Sequence, residues 1–127
     1  MKRIYSLFIA FLIFGNWGYA QCPAGQKQVT IQITPDGYPN EITWILRENG
    51  TAIANGNFNG ATVCVNETSC IQFTIYDSAN DGICCNFGNG SYSILVNGAV
   101  VHTGGNYGAS EIFETGCPAG GACSNPI

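Results

Sequence analysis

The stretch Ile42-Thr43-Trp44-Ile45-Leu46-Arg47-Glu48-Asn49-Gly50-Thr51-Ala52-Ile53-Ala54 decides the fold. Ile42, Trp44 and Leu46 alternate with Thr43, Ile45 and Arg47, the period-two spacing of a strand with one face on a core. Trp44 is in phase with its apolar neighbours and is expected inside. Asn49-Gly50 then predicts a two-residue hairpin turn, because both residue types tolerate positive φ. The same signal returns at Asn97-Gly98, between the strand-like segments 92–96 and 99–102.

Working outward, Val29, Ile31 and Ile33 alternate with Thr30, Gln32 and Thr34, and residues 61–65, 71–76 and 111–115 also read as strands. No window shows a helical stripe. Short strands about ten residues apart, punctuated by Gly and Asn, predict an all-β chain: an antiparallel β-sandwich with jelly-roll or immunoglobulin-like wiring. The segment 55–60, rich in Asn and Gly, is expected to be a loop and a spacer. Asn49, Asn66 and Asn89 head Asn-x-Ser/Thr sequons that chance explains in a chain with so many asparagines.

Residues 1–20 read as a secretory signal peptide: Lys2-Arg3, an apolar run over 4–15, and Gly18-Tyr19-Ala20, with cleavage after Ala20. The run is shorter than the roughly 20 residues a bilayer requires, so no stable membrane insertion is expected after cleavage. Gln21 before Cys22 argues against a lipidated cysteine. Residues 21–117 then form the β-module and 118–127 a tail. Cleavage removes two of the four basic residues and leaves Lys27 and Arg47 against eight acidic ones. Such a surface repels nucleic acid and attracts cations.

Seven cysteines in 127 residues place the protein in an oxidising compartment, secreted or at the cell surface, and predict a disulfide-stapled domain. Zinc is disfavoured, since no Cys-x-x-Cys occurs and the sole histidine, His102, is remote from the cysteines in sequence. Cys84 and Cys85 are adjacent, and a bond between neighbours is strained, so each is expected to pair with Cys64 or Cys70, in either order. Cys22 and Cys117 are expected to join the chain ends. Cys123 is left over, free or paired locally with Cys117. Alternatively it belongs to a second module, whose start is marked by Cys22-Pro23-Ala24-Gly25 recurring as Cys117-Pro118-Ala119-Gly120.

The candidate metal ligands lie in two acidic loops. Asp77-Ser78-Ala79-Asn80-Asp81-Gly82 puts Asp77, Asn80 and Asp81 in one turn, an arrangement of oxygen donors that suits calcium. An EF-hand is excluded, because Ala79 fails the pattern and Gly88 stands where its bidentate Glu belongs. The competing reading is a turn capped by side-chain to backbone bonds. The segment 34–41 adds Asp36 and Glu41, and if the two loops meet, the repulsion of four carboxylates itself argues for a cation.

Catalysis lacks its usual parts: there is no Gly-x-Ser-x-Gly, no zinc motif and no phosphate loop, and His102 is expected on a strand surface. A non-catalytic binding or adhesion module is expected, with an extracellular glycan or surface protein as partner; the alternatives are a carbohydrate-binding accessory module of a secreted hydrolase or protease, and a small glycoside-acting enzyme. For a sugar, the loop aromatics Tyr38, Phe87 and Tyr107 are the expected contacts.

Four motifs carry a resemblance: Thr34 to Trp44, Asp77 to Cys85 with its Asp-Gly-Ile-Cys-Cys centre, Gly88-Asn89-Gly90-Ser91-Tyr92, and residues 105–111. Through them the chain resembles a small module of secreted proteins in gliding and marine bacteria that use type IX secretion, and in diatoms. The likeness runs over about residues 28–113 and implies an accessory all-β module, often appended to proteases or adhesins, without a catalytic role. The resemblance also implies a C-terminal sorting domain, which members commonly carry beyond the module.

Overall fold

Alternating side chains with one apolar face per strand leave the chain two ways to hide those faces, and it stacks two sheets. In the computed structural model the described residues are 22–118; the expected signal peptide, Gln21, most of the expected tail and Cys123 lie outside them. The strands are β1 (Gln26–Thr34), β2 (Ile42–Glu48), β3 (Thr51–Gly56), β4 (Ala61–Asn66), β5 (Ile71–Asp77), β6 (Ser91–Val96), β7 (Ala99–Gly104) and β8 (Ser110–Thr115). A single 3₁₀ turn, Pro39–Glu41, leads into β2. One four-stranded sheet has the order β4-β1-β6-β7 and the other β3-β2-β5-β8, with every pairing antiparallel. No helix among the described residues is long and apolar enough to cross a membrane.

Between the sheets lie Val29 and Ile31 of β1, Ile42, Trp44 and Leu46 of β2, Ile71, Phe73 and Ile75 of β5, and Tyr92 and Ile94 of β6. Three rings run through the centre: Phe73 stands 6.0 Å from Trp44 and 5.4 Å from Tyr92 between centroids. The Trp44 indole N–H, which burial would otherwise leave unpaired, donates to the Asn57 carbonyl at 2.9 Å.

The strand order repeats itself. Moving each strand four places along the chain, with the count returning from β8 to β1, turns β4-β1-β6-β7 into β8-β5-β2-β3, the other sheet read backwards. The two hairpins agree in detail. Asn49 and Gly50 have φ of 49° and 89°, Asn97 and Gly98 51° and 84°, the left-handed pair that a two-residue hairpin needs. In each, the turn asparagine exchanges two bonds with one backbone residue in or just before a strand of the other half: Asn49 N–H to Cys70 O at 2.8 Å and Cys70 N–H to Asn49 Oδ1 at 2.9 Å. Asn97 does the same with Gln28, at 2.8 and 2.9 Å.

Each hairpin also carries one bulge, where Ile53 and Val101 are the extra residues and consequently face solvent. Further along, Trp44 is paired with Gly56 and Tyr92 with Gly104. A Cβ at either glycine would lie 2.7 or 2.6 Å from the opposing ring, so only glycine lets these aromatics lie across the partner strand. The shared pattern over 42–56 and 90–104, invisible without the register, marks the fold as two similar four-strand halves that have exchanged places between sheets.

The disulfides follow these halves. Cys22 is bonded to Cys64 of β4, with Cα atoms 5.6 Å apart, and Cys70 to Cys117, at 4.3 Å. Cys84 is bonded to Cys85 across a cis peptide that brings their Cα atoms to 3.0 Å. All six expected cysteines are paired, but the expected partners are not. Cys70 precedes β5 and Cys84 follows it, and a seven-residue strand separates them by about 23 Å, far beyond disulfide reach. Cys22 and Cys117 do not meet because the first and last strands belong to different sheets.

Candidate metal centre

β1 and β5 end on the same side of the sandwich, and the loops that follow them are joined there. Gly37 N–H donates to Phe87 O at 2.9 Å, Ser78 N–H to Glu41 O at 3.1 Å, and Ile83 N–H to Gly105 O at 2.9 Å. The ladder itself places the acidic groups. Ile42 pairs with Asp77, so Glu41, the last residue of the 3₁₀ turn, arrives beside the end of β5.

Asp77 continues the inward alternation of Ile71, Phe73 and Ile75 and is only 3% exposed. Its carboxylate accepts N–H bonds from Asp81 at 2.8 Å and Ala79 at 3.4 Å, closing the turn. Asn80 adopts φ 67° at the turn and is exposed, so it shapes the loop from outside. Glu41, Asp77 and Asp81 thereby place one carboxylate oxygen each within 4.8 Å of the others. Asp36 lies close enough to act on Glu41 and Asp81 through space, while its Oδ1 accepts the Tyr38 N–H at 2.8 Å.

The electrostatics divide this group. Burial first, then the charges of Asp77, Asp81 and Asp36, hold the Glu41 carboxyl above its ordinary 4.5. Asp81 stands above its ordinary 3.8, chiefly because its side chain shares a hydrogen bond with Asp77, then through burial and the charges of Asp77 and Asp36. Burial pushes Asp77 upward as well, but the bonds it accepts from Asp81, Ala79 and Gly82 outweigh this and leave it below 3.8. The shared bond thus acts on the two in opposite directions, raising Asp81 and lowering Asp77.

Two buried oxygens beside these groups have no hydrogen-bond partner among the described residues: Asp81 Oδ1 and the Tyr107 hydroxyl. Burial raises the Tyr107 pKa most, followed by the charges of Asp77 and Asp36. The available cations are engaged elsewhere. Lys27 Nζ donates to Ser69 O at 3.1 Å and Arg47 to Gln72 Oε1 at 3.4 Å.

The loop aromatics separate. Tyr38 and Phe87, each 51% exposed, meet edge to face at 5.3 Å between centroids. Tyr107 is not exposed with them: its ring packs against the core, edge-on to Tyr92 at 6.1 Å.

Sequence reasoning missed a second polar group, because it put His102 on a strand surface. The ring of His102 instead stacks on Phe113 at 4.3 Å, and its Nε2 lies 2.9 Å from the Tyr92 hydroxyl, which donates to Glu111. The only signal was that Tyr92 is in phase with Ile94; a tyrosine so buried needs a hydroxyl partner. The chain matches no protein-family model, no curated protein and no solved structure.

Proposed function

We propose that the protein is a secreted, non-catalytic binding or adhesion module whose loop end is completed by calcium, with Glu41, Asp77 and Asp81 as ligands and Asp36 at the rim. One observation carries the reading: three carboxylates converge within 4.8 Å. At neutral pH the repulsion within such a group is relieved by a retained proton or a bound cation. The two orphaned oxygens support the cation, since a bound ion with its water supplies the partners they lack. The donor set is oxygen alone, the chemistry of a hard cation, and the six described cysteines, which would attract softer metals, are bonded to one another. The disulfides favour an oxidising, extracellular setting, where calcium is abundant enough for sites of about 10⁻⁴–10⁻³ M.

Thermal unfolding of the oxidised protein in 10 mM calcium and in EDTA tests the reading. A site of about 10⁻⁴ M is expected to gain about 2.7 kcal/mol at a hundredfold excess, a rise of roughly 10–20 °C for a domain of this size. Equal melting points in calcium and EDTA overturn it and leave the carboxylates as turn caps.

A further inference from the structure

We infer that the same end of the sandwich binds a neutral saccharide, whose adjacent hydroxyls complete the calcium shell while its apolar face lies on Tyr38 and Phe87; this rests on the calcium reading above. The aromatic pair is the observation that points to a ligand. Two half-exposed rings from different loops are held together, rather than folded inward as Tyr107 is. Their backbone is fixed by the framework that builds the acidic group. Asp36 accepts the Tyr38 N–H at 2.8 Å, Glu41 N–H donates to Tyr38 O at 3.2 Å, and Gly37 N–H donates to Phe87 O at 2.9 Å. Tyr38 and Glu41 therefore sit at the two ends of one 3₁₀ turn.

The chemistry narrows the occupant. Anionic ligands are repelled by Asp36, Glu41, Asp77 and Asp81, and a cationic peptide competes with the ion itself. Three carboxylates provide at most six oxygens and commonly fewer, so a shell of about six to eight leaves positions for uncharged oxygen. A sugar ring offers both requirements at once: a pair of neighbouring hydroxyls on its edge and a face of C–H groups for an aromatic ring.

The probes are the methyl glycosides of mannose, galactose and fucose, with per-O-methylated methyl mannoside as the control that keeps the face and loses the diol. Titrations followed by protein amide NMR shifts are expected to show roughly millimolar binding of at least one glycoside in calcium. Binding is expected to vanish in EDTA and for the methylated control. Tyr38→Ala/Phe87→Ala is expected to weaken binding about tenfold while the calcium-dependent rise in melting point stays unchanged. If calcium raises the melting point but no glycoside binds, the saccharide inference fails and the metal reading stands. Binding that persists in EDTA overturns the shared shell, and an absent calcium response overturns both.

Discussion

At the residue scale, Asp81 is the most informative side chain, because its two roles predict opposite results. If it serves as a turn cap, its replacement loosens the loop. If it is instead a carboxylate crowded against Asp77, Glu41 and Asp36, its charge destabilises the metal-free fold. Asp81→Asn, which keeps the shape and removes the charge, is therefore expected to raise the melting point in EDTA and abolish the response to calcium. A lower melting point in EDTA with an intact response would show that Asp81 is no ligand. The pH dependence has a definite sign. Glu41 and Asp81 are raised in the folded state, so they favour folding below their ordinary 4.5 and 3.8, and that contribution is lost as pH rises through the raised values. Asp77 is lowered and acts oppositely, losing its contribution as pH falls through its own value. Above pH 4.5 the Asp77 contribution is already complete, so the melting point in EDTA is expected to fall as pH climbs through the raised values of Glu41 and Asp81, and calcium is expected to flatten or reverse the slope. Melting curves from pH 3 to pH 8 check this.

At the element scale, the paired hairpins make matched predictions. Gly50 and Gly98 sit at φ 89° and 84°, where an alanine is disfavoured by about 1 kcal/mol. Gly50→Ala and Gly98→Ala are expected to lower the urea midpoint by similar amounts with an unchanged slope. Gly56→Ala and Gly104→Ala push a methyl into the Trp44 and Tyr92 rings and are expected to cost about 1–3 kcal/mol each. Near-UV circular dichroism is expected to change in both, because the rings must move. These turns were legible in the sequence, since Asn-Gly acts through φ alone. The glycines facing the rings were not, because their meaning depends on the register that sets Gly56 opposite Trp44.

For the whole molecule, the disulfides set the balance between halves. Cys22–Cys64 and Cys70–Cys117 span 42 and 47 residues, so the chain-entropy estimate gives each about 4 kcal/mol. Replacing either pair by serine is expected to lower stability by a similar amount, read as the shift in chemical unfolding. A non-reducing peptide map is expected to recover 22 with 64 and 70 with 117; a 22–117 link would refute this arrangement.

The amino-acid order alone determined the period-two strands, their Asn-Gly turns, the buried Trp44 and the acidic residues of the two loops, because each depends on side-chain spacing or φ within a few neighbours. Tertiary structure decided the rest. Which loops share an end, and hence that Glu41 meets Asp77 and Asp81, follows from the pairing of Ile42 with Asp77 across a gap of 35 residues. The same pairings set the disulfide partners and turned His102 and Tyr107 inward. These are distances between segments remote along the chain, and only the packing of two sheets determines them.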